Sequence, residues 1–343
     1  MMSGLAIVAA HTPGDCISGL YHQFWDQTVN GVTLGAIYAL IALGYTMVYG
    51  VLQLINFAHS EVFMIGTVVT LYAFRNWFGV VDPIGGFGLP IIIIASMVPA
   101  MIVCSITAVA LERVAYRPLR KRGAPRLSFL ITAIGASLAL QYLFNLADGL
   151  HYIGPIKIPP ILGPNPQPLP TVMEVKTAFY LFSARVTNTE VLVIVVAFAS
   201  MVILDQFVRR SKLGRGIRAV AQDKETAALM GVNIDRVIVS TFAIGGLMAG
   251  VAAMLYVGIF PAVPSFWLIG FLPGIKAFTA AVLGGIGNIR GAVLGGLVLG
   301  LIESYAVPCF GAQWRDVVAF VVLVLVLMVR PTGILGERVG ATA

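Results

Sequence analysis

Nine stretches of this chain are each of about membrane-crossing length and almost free of charge: 29–50, 54–74, 89–112, 127–147, 189–208, 237–260, 266–286, 291–308 and 316–330. A run of about 20 apolar residues spans the ~30 Å hydrocarbon layer as a helix. The runs are continuous rather than alternating, which argues against a barrel. Charged residues make up 11% of the 343 positions and hydrophobic residues 59%, against roughly 25% charged in a soluble domain. With a mean hydropathy of +0.93, a soluble fold could not cover its own surface. These facts exclude a cytosolic enzyme, a disordered chain and a nucleic-acid-binding module. They predict an all-α polytopic membrane protein, one domain over 1–343, with about eight to nine transmembrane helices.

Two of the nine stretches are expected to be broken or re-entrant. The 54–74 run opens on Asn56, His59 and Glu61, and the 266–286 run carries Pro273, Lys276 and Gly284-Gly285. Irregular backbone at membrane depth is tolerated only where protein or a water-filled cavity satisfies it. A polar break before an apolar run thus occurs twice, at 54–74 and 273–302, a faint internal echo of the paired interrupted helices of transporters.

Orientation follows from Lys and Arg in short loops. One cluster is Arg113, Arg117, Arg120, Lys121, Arg122 and Arg126. A second is Arg209, Arg210, Lys212, Arg215, Arg218, Lys224 and Arg236, and the tail adds Arg330 and Arg338; these fifteen are most of the 22 Lys and Arg. All three segments are expected to be cytoplasmic, with an even number of spans between them. An N-terminal arm (1–28) without Lys or Arg is expected outside, and so is a Pro-rich loop over 148–188. That loop holds Pro155, Pro159, Pro160, Pro164, Pro166, Pro168 and Pro170, a density that favours extended backbone. It reads equally as a docking surface or a rigid connector. The start, MMSGLAIVAAHTPGD, lacks a basic n-region, so a cleaved signal peptide is not expected. Cys16, Cys104 and Cys309 have no metal-ligand spacing, and pairing of Cys16 with Cys309 is left open.

Ionisable residues within apolar runs are few. Glu61, with His59 and Asn56, is a candidate pore-lining or gating group, since a carboxylate in hydrocarbon is costly unless paired or wet. Asn56 could instead cap the following helix. Lys276 and Glu303 are expected to pair and hold two helices in register, or to sit on a translocation path; pairing is favoured because a lone charge there is expensive. Gly287, Gly291 and Gly295 recur every four residues and would share one helix face, letting helices pack closely; Gly31/Gly35 and Gly246/Gly250 read alike. Gly285-x-Gly287-x-x-Arg290 breaks the dinucleotide-loop spacing. Gly135-Ala136-Ser137 lacks the base an intramembrane serine hydrolase needs, and packing is its better reading. No catalytic or metal site is expected.

No G-x-x-x-x-G-K-[ST] loop occurs, so ATP-driven work would need a separate ATPase. The polar segment 209–236 is the natural contact. Within it Asp223, Glu225, Ala227, Ala228 and Gly231 place acids first, small residues next and Gly last, the pattern of a short helix. Its small residues would let another protein approach; otherwise the segment is an amphipathic loop on the anionic leaflet.

The stretches NGVTLGAIYALIALGYTMVYG (30–50), INFAHSEVFMIG (55–66), ERVAYRPLR (112–120), KAFTAAVLGGIG (276–287) and RPTGILG (330–336) resemble the membrane permeases of branched-chain amino-acid ABC importers, most closely the smaller of that system's two permeases. The resemblance runs from about 28 to 338. It implies a heterodimeric permease, two ATPase subunits that bind ATP and Mg, an extracytoplasmic binding protein, a bacterial inner-membrane location and alternating access. It implies no cofactor on this chain. It also implies that Ala227-Ala228-x-x-Gly231 docks onto the ATPase. One departure is Ser60, where the family usually has Gly; it bears on a close backbone approach at the break. Relatives in the family move urea, short-chain amides or other neutral amino acids. A passive channel or secondary transporter is the competing class, but it would need its own coupling-ion site.

Overall fold

The computed structural model describes residues 13–80, 88–149, 152–153, 156–157, 167–168, 172–259, 262–263 and 266–336. Residues 1–12, Arg338 and most prolines of the 148–188 loop lie outside that set.

The first helix, α1, runs unbroken over Pro13–Leu52. The expected arm therefore becomes helix from residue 13 onward, with Pro13 at a first-turn position where its missing N–H costs nothing and no later proline to stop it. The chain turns over 53–58 and re-enters as α2, His59–Tyr72, which runs on through a wider turn at Ala73–Trp77. Helix α3, Gly88–Leu111, continues through a second wide turn, Glu112–Tyr116, into α4, Arg117–Lys121. Helix α5 is Arg126–Gly149. Short strands follow: β1 (Tyr152–Ile153) pairs β2 (Ile156–Lys157), β3 (Gln167–Pro168) is the next, and β4 (Thr177–Leu181) pairs β5 (Ala184–Thr187) as a hairpin. The described part of the 148–188 segment thus includes a hairpin, β4–β5, as well as shorter paired strands.

Helix α6, Asn188–Arg210, starts at a reciprocal cap between Thr187 and Glu190, a T-x-x-E signal before an apolar run. Two short helices, α7 (Lys212–Gln222) and α8 (Lys224–Leu229), precede α9, Ile234–Ile259. Strand β6 (Ala262–Val263) pairs β3. Helices α10 (Phe266–Gly284), α11 (Ile289–Phe310) and α12 (Arg315–Val329) complete the chain. Among the described residues, seven helices are long and apolar enough to cross a membrane. The two stretches expected to be broken are α2 and α10. Pro273 lies inside α10 without interrupting it; the break falls at 285–288, where Gly285 and Gly287 take positive φ.

Glycines set the packing. Helix α1 lies at the centre and meets α11 through Gly31 and Gly35, where a Cβ on Gly35 would come within 2.8 Å of the Gly296 carbonyl. Gly246 and Gly250 bring α9 against Cys104, Ser105 and Met101 of α3 in the same way. Gly291 and Gly295 seat α11 against Gly284 and Ala280 of α10. Gly287 does not join that face. It precedes the helix, has φ +95°, and a Cβ added there would meet nothing within 4 Å, because α11 begins only after its cap at Asn288.

Both breaks lie at one end of the bundle, where Gly50 approaches Gly287. The basic clusters gather there too. Arg117 and Arg120 reach Asp235 at 3.1 and 2.7 Å, Lys224 donates to the Leu52 carbonyl at 3.3 Å, and Asn288 donates to the Leu335 carbonyl at 3.0 Å. At the other end the hairpin leans on α1: Trp25 stacks on Phe182 at 4.3 Å, and Asp26 accepts from the Arg185 amide at 3.3 Å.

Candidate functional site

Three carboxylates are wholly buried among the described residues: Glu61, Glu112 and Glu303. Two have cationic partners. Arg120 sits 3.0 Å from Glu112, and Lys276 sits 3.1 Å from Glu303. Glu61 has only hydroxyls. Its Oε1 accepts from Ser137 on α5 at 3.1 Å and from Ser60 at 3.4 Å, while Oε2 has no hydrogen-bond partner.

The surroundings of Glu61 explain how it is held. It lies in the first turn of α2, where the amide dipole favours a carboxylate. Gly270 on α10 leaves room for it, since a Cβ there would run into the carboxyl group. One turn on, Gly274 gives room to Ser60 in the same fashion. The close approach that Ser60 brought into question is therefore supplied by the opposite helix, and the Ser60 hydroxyl is tied back to the Phe57 carbonyl at 2.6 Å. Helix α5, which carries Ser137, is mostly exposed along its length. A buried carboxylate without a cation thus sits beneath a loosely packed helix.

The other residues expected near the break have different places. The Asn56 side chain does not cap α2; it accepts from the Tyr116 hydroxyl at 2.8 Å and braces the break against the end of α3. His59 fills the space left by Gly44 and meets the Tyr45 ring edge-on at 4.9 Å. Both are fixed in packing, apart from the Glu61–Ser137 contact.

Lys276 and Glu303 pair as expected, in a larger cluster than the sequence suggested. The Tyr38 hydroxyl donates to Glu303 at 3.0 Å, and Lys276 also reaches Asp316 at 2.6 Å. The group ties α1, α10, α11 and the start of α12, which fits a structural role.

In the 209–236 segment, Asp223 caps α8, accepting from the Glu225 amide at 2.9 Å and from the Thr226 hydroxyl. These two bonds hold its carboxyl below the ordinary aspartate range. Gly231, with φ +80° and open space where a Cβ would stand, closes the turn after α8. The small-residue face needs correction: Ala227 points inward and is buried, while Ala228 is exposed. The outward surface is carried instead by Leu229 and Met230, 88% and 80% exposed. The sequence held the signal, two large apolar residues in a polar loop, but not which side they took. Burial, with Arg120 and Arg126 nearby, holds the Lys224 ammonium below the ordinary lysine value.

Residues 27–327 match the family model described as the permease component of the branched-chain amino acid transport system. The chain is 43% identical over 327 residues to the high-affinity branched-chain amino acid transport system permease protein LivH of Salmonella typhimurium, covering 94% of this chain and 98% of that one. Identity to LivH of Escherichia coli K12 is also 43%, with the same coverage. It is 44% identical over 325 residues to BraD of Pseudomonas aeruginosa, a permease protein of the same description, covering 93% and 97%.

Proposed function

This chain belongs to the family of branched-chain amino acid transport permease components, and from that premise we propose that it is one permease of an ATP-driven importer for branched-chain or other neutral amino acids. The observation that carries the proposal is the near-full-length identity to LivH and BraD. The chain works in a heterodimer with a second permease. Two ATPase subunits supply ATP and Mg chemistry, and an extracytoplasmic binding protein delivers substrate. The protein lies in the inner membrane, with the basic end in the cytoplasm and the N-terminus outside.

The path runs past Glu61. A carboxylate at membrane depth without a cationic partner is expensive, and the ammonium group of an amino acid is the partner it lacks. Ser137 occupies the site between passages and gives way as α5 moves. The coupling surface is α8 with Leu229 and Met230. Its push reaches the path over a short distance, because Lys224 holds the Leu52 carbonyl and the break at 53–58 leads directly into Ser60 and Glu61.

The test is reconstitution of the complete complex in proteoliposomes, with uptake of leucine, alanine, urea and acetamide compared. ATP-dependent leucine uptake that requires the binding protein is expected. Preference for urea or acetamide would move the chain to the amide-carrying branch. Uptake that proceeds without the ATPases would make it a passive channel or secondary transporter.

A further inference from the structure

A cleft of about 360 Å³ opens where the end of α3 meets the start of α9, lined by Arg113, Arg117, Asn233, Asp235, Arg236 and Ser240. That volume lies within the range of small-ligand sites, ~300–1,000 Å³. It touches neither Glu61 nor the outward face of α8. Its charge does not balance. Asp235, its one carboxylate, is already bonded by Arg117 and by Arg120, and Arg120 is shared with the buried Glu112. The guanidinium groups of Arg113 and Arg236 have no hydrogen-bond or ion-pair partner among the described residues. The Nε of Arg117 is buried and also lacks a partner. Asn233 accepts from the Arg236 amide at 2.9 Å, which caps the start of α9 at the edge of the cleft.

The surface leading to the cleft is apolar. On α3, Ile102 and Ile106 are 50% and 63% exposed, and Val114, next to Arg113, is 79% exposed. On α9, Ile244 and Leu247 are half-buried and by helical spacing share a face with Arg236 and Ser240. A ligand here meets cationic groups at one end and a hydrocarbon-facing groove at the other. A free anion would use only the first, and a neutral lipid only the second.

We propose that this cleft seats the headgroup phosphate of an anionic phospholipid, with its acyl chains along the exposed face of α3. Each guanidinium offers paired N–H donors that match phosphate oxygens. Basic pockets between transmembrane helices are suited to such headgroups. The bound lipid neutralises Arg113 and Arg236 and fixes the junction of α3 and α9, the same junction that Arg120 and Asp235 brace from within.

The experiment uses the purified chain in detergent, delipidated and then titrated with phosphatidylglycerol, phosphatidylcholine or inorganic phosphate. Native mass spectrometry reads retained lipid, and thermal unfolding reads protection. Wild-type protein should retain phosphatidylglycerol and gain thermal protection from it, with little effect of phosphatidylcholine. The double variant Arg113→Gln/Arg236→Gln should bind phosphatidylglycerol roughly 10- to 30-fold more weakly. Arg215→Gln/Arg218→Gln, on α7, removes the same charge elsewhere and should behave as wild type. If both double variants lose lipid equally, the effect is general charge and the site is refuted. If inorganic phosphate protects as well as phosphatidylglycerol, the cleft is a free-anion site and the lipid assignment fails. If Arg113→Gln/Arg236→Gln does not fold, Arg113→Lys/Arg236→Lys keeps the charge but loses the fork geometry, and unchanged retention in it would overturn the guanidinium–phosphate contact.

Discussion

The Ser137 hydroxyl on α5 reaches the Glu61 carboxylate on α2 at 3.1 Å, across 76 positions of sequence. It is the contact that joins the largely exposed helix α5 to an uncompensated buried charge. If α5 moves during transport, this bond must break, and Glu61 must then find another donor or water.

Glu61→Leu is expected to lower transport at least 10-fold while membrane abundance and partner co-purification stay near wild type. Glu61→Gln should retain assembly and lose most transport, because it keeps the hydrogen bonds and removes the charge. Ser137→Ala should have a milder effect, since water can replace a hydroxyl. Uptake per assembled complex, measured in proteoliposomes, checks all three. Full uptake by Glu61→Leu would reduce the residue to a spectator.

The Lys276–Glu303 pair should show strong non-additivity. Lys276→Met alone leaves Glu303 buried beside Asp316 and should cost about 3–5 kcal/mol. Adding Glu303→Leu should recover much of that loss, as apolar replacement of a buried pair is often nearly neutral. A double-mutant cycle on detergent-solubilised protein reads the coupling. Additive effects would mean that the two residues do not share one site.

The central glycine contact should tolerate little. Gly35→Val places branched carbons against the Gly296 carbonyl and the Leu297 backbone, each 2.8 Å from an added Cβ. Overpacking of this kind costs ~1–3 kcal/mol, and the tightness of α1 against α11 puts this site at the upper end. Gly135→Ala, where an added Cβ meets nothing within 4 Å, is the matched control. Melting temperature and yield of the two variants should separate clearly.

Coupling should depend on the exposed tip after α8. Leu229→Asp with Met230→Asp should abolish ATPase co-purification and substrate-stimulated hydrolysis without changing membrane insertion, because neither side chain packs within this chain. Gly231→Arg should act similarly and add strain, since φ +80° disfavours any residue with a Cβ. Wild-type levels of all three measures would send the coupling role to the 113–126 loop.

Asp223 makes α8 sensitive to acid. Its folded-state pKa is depressed by the Thr226 hydroxyl and the Glu225 amide. The ionised cap therefore stabilises α8 above the ordinary aspartate value of 3.8, and that help fades as pH falls through the lowered value. Protection of the Glu225 to Ala228 amides, relative to their intrinsic exchange rates, should fall there, and Asp223→Ala should show low protection at every pH. Equal exchange in wild type and variant at neutral pH would remove the cap from the account.

The sequence by itself determined the fold class and much of the arrangement along the chain. Nine long apolar runs have no soluble alternative, since burying that much apolar surface in a single soluble core is impossible. Lys276 and Glu303 were legible as partners because two isolated charges in apolar runs must neutralise each other or pay heavily for desolvation. The clustering of Arg and Lys likewise anticipated which segments share one end. The tertiary structure alone decided the rest. It placed Ser137 on Glu61, gave Asn56 to Tyr116 instead of a helix cap, set Gly287 in a turn outside the α11 face, and turned Ala227 inward so that Leu229 and Met230 face out. Periodicity and spacing are local quantities. Which face of a short helix is covered, and which distant hydroxyl meets a buried carboxylate, depend on how α5, α9 and α10 pack against segments far away in the chain.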